Sequence, residues 1–106
     1  MQIIKHKLFN SEYIKLDYQH KGHLYLYFIK NDLHKNPYML LEDLYVKQDY
    51  RKQGIGGELI KTAINFARKY NCYKIVAMSR FSRGFIHNWY QELGFKKFGY
   101  EFRMDI

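Results

Sequence analysis

A chain of 106 residues, 47% apolar and 19% aromatic, can bury one core but not two, so a single domain over residues 1–106 is expected and disorder is excluded. Lys and Arg exceed Asp and Glu to a formal +8, but the excess is spread, nine against six up to Gln53 and nine against four after it, so no basic block marks a nucleic-acid arm. The apolar runs fall far short of the roughly 20 residues that span a bilayer, MQIIKHKLF lacks the features of a leader, and the lone Cys72 can form no internal disulfide, which together point to a cytosolic chain.

In chain order, Ile3 to Phe9 reads as a short strand, and Tyr13 to Tyr18 alternates with Ile14, Leu16 and Tyr18 on one face. After the turn Gln19-His20-Lys21-Gly22, His23 to Ile29 alternates again, Leu24, Leu26 and Phe28 against Tyr25, Tyr27 and Ile29, which predicts an antiparallel hairpin with both faces partly covered. A loop over Asn31 to Pro37 leads to the central strand, Tyr38 to Val46. Strict alternation there puts Glu42 in line with Leu40, Leu44 and Val46, and Asp43 on the other side.

From Gly54 the period changes. Ile55, Leu59, Ile60, Ala63, Ile64, Ala67 and Tyr70 form a helical stripe that packs on the sheet and stops at Asn71. Lys74 to Met78 is a short buried strand, parallel to the central one because a long helix separates them. Phe85 to Leu93 is a second helix ended by Gly94, and Phe98, Tyr100, Phe102, Met104 and Ile106 alternate as a last strand. Strands, helix, strand, helix, strand give an α+β class in three α/β/α layers, with a mixed, mostly antiparallel sheet and helices on both faces.

The stretch from Glu42 to Glu58 organises the rest. A β-branched and aromatic run ends at Val46, a basic turn follows, and Gly54, Gly56 and Gly57 open the helix. First-turn amides with no intrahelical partner, glycines without Cβ cover, the helix dipole, and the charges of Lys47, Arg51 and Lys52 make this a place for a phosphate. The dinucleotide fingerprint fails because Leu59 stands where its third glycine belongs, and the mononucleotide loop fails for want of Gly-Lys-Ser/Thr.

What remains, Arg51-Lys52-Gln53-Gly54-Ile55-Gly56, resembles the Arg/Gln-x-x-Gly-x-Gly/Ala pyrophosphate loop of the GNAT acetyltransferases. A second stretch, Arg83-Gly84-Phe85-Ile86-His87-Asn88-Trp89-Tyr90-Gln91-Glu92-Leu93-Gly94-Phe95, resembles that family's aromatic-Tyr pair followed by Gly-Phe. The resemblance runs from about Tyr13 to Ile106 and implies the GNAT acyltransferase fold, with acetyl-coenzyme A as co-substrate. It implies that the backbone of Leu44, Tyr45 and Val46 holds the pantetheine arm, and that Arg51, Lys52, Gln53, Gly54, Ile55, Gly56, Gly57 and Glu58 hold the pyrophosphate. Tyr90 then protonates the departing thiolate, and Glu42 is the base that frees the acceptor amine, with Asp43 as its competitor.

Two departures stand out. Arg83 occupies a position where many members have asparagine, although others have an Arg-x-x-Ala-His pattern close to Arg83, Ile86 and His87. Family members also carry a strand and two helices before the hairpin, where this chain has Met1 to Phe9 or so. Those helices help wall the acceptor site, so a second subunit is expected to replace them, giving a homodimer acting on a small amine rather than on a protein lysine. His6, His20, His23 and His34 show no paired metal spacing, so no metal is expected. The rival readings are an acyl-coenzyme A sensor of the same fold without turnover, and a basic nucleic-acid-binding domain.

Overall fold

The computed structural model describes residues 1–8 and 11–106. Four strands follow one another as antiparallel neighbours: β1 (Gln2–Leu8), β2 (Ser11–Tyr18), β3 (Gly22–Ile29) and β4 (Tyr38–Val46). A helix, α1 (Ile55–Lys69), crosses over to β5 (Ile75–Ala77), which pairs parallel with β4, and α2 (Gly84–Glu92) follows. The sheet order is β1-β2-β3-β4-β5, a mixed sheet that is antiparallel but for its last pair.

The alternation read in the hairpin sets the core. Ile14, Leu16, Leu24 and Leu26 point to one face, where Met39 and Leu41 join them, and α1 lays Ile55, Leu59, Ile60, Ala63 and Ala67 across all six. Each large side chain fully buried there contributes roughly 1.5–3 kcal/mol by its removal from water. Asn71, with φ of 57°, ends the helix in the left-handed region that asparagine tolerates. The predicted strand from Ile3 corresponds to β1, while Phe9 lies outside the described residues.

Two expectations fail. Leu44 and Val46 do not share the face of Glu42, because β4 contains a bulge. Tyr25 lies opposite Glu42 and His23 opposite Tyr45, so Asp43 and Leu44 together face the single residue Leu24. Asp43 takes a φ of 54°, absorbs the extra residue, and switches the parity of everything after it. Leu44 and Val46 therefore pack on the core beside Met39 and Leu41, while Tyr45 returns to the face of Glu42, its ring tilted against that of His23 with centres 5.8 Å apart.

The second failure is the last strand. Phe98 to Ile106 has no regular structure, and its side chains are open, Phe98 at 100% and Phe102 at 94% exposure. Alternation specifies two faces but not a partner. The sheet edge beyond β4 is β5, only three residues long, which leaves little ladder for a nine-residue run to join.

Candidate active site

The junction between β4 and α1 is built by two left-handed residues. After a short 3₁₀ turn over Gln48–Tyr50, Lys52 (φ 63°) and Gly54 (φ 83°) reverse the chain, and Gly54 becomes the residue before the helix. The first intrahelical bond is from the Glu58 amide to the Gly54 carbonyl at 3.0 Å. The amides of Ile55, Gly56 and Gly57 precede that bond and have no intrahelical acceptor, which is where a phosphate would be received. Glu58 differs from its neighbours, since its amide is already used and its carboxylate is exposed.

Arg51 does structural work here. Its Nε donates to the Val46 carbonyl at 2.8 Å and its guanidinium lies 5.6 Å from the centre of the Tyr45 ring, so it ties the end of β4 to the turn. Lys52 and Gln53 are exposed beside it. The register between β4 and β5 ends at Leu41 opposite Ala77, and β4 continues through Glu42, Asp43, Leu44, Tyr45 and Val46 paired with β3 only. On that side, the edge of β4 has left its parallel partner directly before the turn that opens α1. An extended ligand could lie along it with its anionic end at α1.

Past the end of β5, the hydroxyl of Ser79 is buried with no hydrogen-bond partner. No motif or period marks that serine in the sequence. Further on, α2 comes against the start of α1: a Cβ on Gly56 would lie 3.5 Å from the Trp89 indole, and Trp89, Tyr90, Leu93 and Phe95 all pack on the core. Tyr90 is gripped between Trp89 and Phe95, each with its ring centre 5.3 Å away. Burial raises its phenol pKa and the Arg83 charge works against that rise, so at neutral pH it keeps its proton.

Glu42 sits on the other face of the sheet, half-buried in an open cavity of about 420 Å³ lined by Tyr27, Ile29, Leu40, Glu42 and Asp43. Its carboxyl pKa is raised by burial first, then by the charges of Asp43 and Glu101. The aromatic wall of this cavity was legible only as an alternation of tyrosines; that it meets Glu42 depends on the β3–β4 register that sets Tyr25 opposite Glu42. His87 has a structural bond, its Nε2 donating to the Arg80 carbonyl at 2.8 Å, and Arg83 precedes the first residue of α2 with its guanidinium over Phe85. Cys72 is half-buried and burial pushes its thiol pKa up, away from the range of a nucleophile. Among the described residues no helix is long and apolar enough to cross a membrane, and no three potential metal ligands gather.

The model of the acetyltransferase (GNAT) family matches residues 8–95. No curated protein matches the chain. Solved structures do, among them a transcriptional regulator from Bacillus halodurans C-125 at 25% identity and TM-score 0.81, covering 94% of this chain and 69% of that one. A Trypanosoma brucei acetyltransferase matches at 23% and 0.73 over 91% and 68% of the two chains. Glucosamine-6-phosphate N-acetyltransferase from Arabidopsis thaliana matches at 12% and 0.75 over 91% and 67%. At such identities the last two speak for the fold.

Proposed function

This chain belongs to the GNAT acetyltransferase family, and we propose that it transfers the acetyl group of acetyl-coenzyme A to a small primary amine by direct attack in a ternary complex. The observation that carries the reading is the side of β4 from Glu42 to Val46 that has no β5 partner and runs to the amides of Ile55, Gly56 and Gly57, which have no intrahelical acceptor.

Acetyl-coenzyme A supplies an activated thioester. The backbone of Leu44, Tyr45 and Val46 holds its pantetheine arm, and the turn Arg51 to Gly57 receives its pyrophosphate, with Glu58 closing the first helical bond behind it. An alkyl amine has a pKa of about 10.4 and arrives as an ammonium. Glu42, made more basic by burial and by its acidic neighbours, takes that proton directly or through water. The neutral nitrogen attacks the carbonyl carbon, the C–N bond forms and the C–S bond breaks. Tyr90 gives its proton to the thiolate, whose thiol pKa near 8.5 lies below that of the phenol, close enough for donation as the bond breaks.

We also propose a homodimer, supported by the exposed apolar side chains of Phe98, Phe102, Met104 and Ile106, which a second copy would cover. Release of free thiol from acetyl-coenzyme A in the presence of an amine panel tests the reading. Coenzyme binding by thermal shift with no thiol release would leave an acyl-coenzyme A sensor instead, a reading that the likeness to a transcriptional regulator favours as the second choice.

A further inference from the structure

A second cavity, of about 190 Å³, opens at the hairpin end of the sheet and is lined by Asp17, His20, Gly22, His23, Tyr45 and Lys47. It shares no lining residue with the cavity of Glu42. Three strands build its floor. Asp17 of β2 stands opposite His23 of β3, and His23 opposite Tyr45 of β4, so a carboxylate, an imidazole and a phenol form one row across the sheet. The wall is fixed as well. The Lys47 amide donates to the Lys21 carbonyl at 2.8 Å, and a Cβ on Gly22 would stand 3.0 Å from the Tyr45 carbonyl, so the hairpin turn sits close against the end of β4.

The residue that points to a ligand is Asp17. It is only 8% exposed, and among the described residues it is the one buried charged side chain. A carboxylate is seldom buried that far without a partner. Its partner among the described residues is the imidazole of His20 at 3.4 Å, a ring that is itself 79% exposed and carries a charge only when protonated. A neutral His20 leaves the carboxylate with no counter-charge. Lys47 lines the same cavity, is exposed, and has no carboxylate partner among the described residues. Asp17 and Lys47 belong to strands two spacings apart, roughly 10 Å, so they face each other across the cavity.

The lining is therefore a dipole, negative on the β2 side and positive on the β4 side. A simple cation is repelled by Lys47 and a simple anion by Asp17, whereas a molecule that carries both charges answers both. At about 30 Å³ for each water, the cavity takes the place of roughly six waters, the size of a short amino acid. We propose that it binds a small amino-acid zwitterion, with the ammonium on Asp17, the carboxylate on Lys47, and the rings of His23 and Tyr45 beneath the carbon chain. This site goes beyond acetyl transfer. The ligand's nitrogen stays protonated against Asp17, and Glu42 lines the other cavity, so the zwitterion is held and not acetylated.

The test is thermal shift and titration calorimetry on the full chain with glycine, β-alanine and γ-aminobutyrate, against ethylamine and acetate as controls that carry one charge. At least one zwitterion is expected to raise Tm saturably, and neither control to do so at the same concentration. Asp17→Asn keeps the shape of the side chain and removes its charge; it is expected to weaken that zwitterion by roughly tenfold or more, while circular dichroism reports an intact fold. Lys47→Gln changes an exposed side chain, so it folds even where Asp17→Asn does not, and the same loss is expected. No shift with any of the three zwitterions, an equal shift with ethylamine or acetate, or unchanged affinity in the folded variants would overturn this inference. Thiol release driven by the bound zwitterion and lost in Asp17→Asn would make it an acceptor and overturn the inference too. None of the binding readouts depends on acetyl transfer, so that reading stands or falls separately.

Discussion

The indole of Trp89 lies against the first turn of α1, 3.5 Å from where a Cβ on Gly56 would sit, whereas a Cβ on Gly57 would meet nothing within 4 Å. The two glycines therefore do different things. A Cβ on Gly56 would make ordinary contact with α2, and one on Gly57 would leave the helix start open. Gly57→Asp places a negative charge where the dipole favours it, so the helix should gain a few tenths of a kcal/mol, while the same charge repels a pyrophosphate. Coenzyme affinity is expected to fall at least tenfold, about 1.4 kcal/mol, with Tm held or raised. Gly56→Asp should lose affinity to a similar extent and also lower Tm, because its carboxylate is pressed on the indole. Titration calorimetry with acetyl-coenzyme A and a melting curve decide both, and full affinity in a folded Gly57→Asp would remove the phosphate from this turn.

Tyr90→Phe keeps the ring between Trp89 and Phe95 and removes only the hydroxyl. Turnover should drop by roughly 10²-fold while coenzyme binding is retained. A variant as fast as the parent would make Tyr90 a packing residue.

Glu42 links activity to stability through one shift. Its folded pKa is raised above the unfolded value, chiefly by burial, so the native state binds the extra proton and stability falls as pH rises from the ordinary carboxylate range to the folded pKa. Glu42→Gln removes that loss. The variant should melt no lower than the parent at neutral pH, with any advantage vanishing in acid, yet acetylate more slowly at neutral pH and recover as pH rises and the amine deprotonates unaided. Parallel pH–rate profiles for parent and variant would make Glu42 a bystander.

Asp43→Val tests the bulge itself. A β-branched residue held at a φ near 54° costs about 1–3 kcal/mol, which for a chain of this size is several degrees of Tm. Asp43→Gly should melt near the parent. Equal melting of Val and Gly variants would show that the strand straightens.

The proposed dimer predicts sedimentation at twice 13.0 kDa at micromolar concentration. Phe102→Asp, a charge placed on a fully open apolar position, should shift that boundary to the monomer without lowering the yield of folded protein. A monomeric parent that still acetylates small amines efficiently would count against a second subunit completing the site.

Local patterns determined much of this protein. The period of two in Tyr13 to Tyr18 and His23 to Ile29 and the period near 3.6 after Gly54 each bury one face whatever the rest of the chain does, so β2, β3 and α1 were legible apart from a residue or two at their ends. Glycine spacing likewise announced the turn before α1, because the backbone there needs a left-handed φ, and Gly54 adopts one. Tertiary structure alone decided two things. Which face Leu44 and Val46 take depends on a bulge at Asp43, a residue whose left-handed conformation no period encodes, and the pairing of His23 with Tyr45 follows from that bulge. Whether Phe98 to Ile106 becomes a strand depends on an edge long enough to receive it, and the three residues of β5 are not. Alternation and helical period are properties of a segment, but register and pairing are properties of two segments at once, and a single run of sequence cannot carry them.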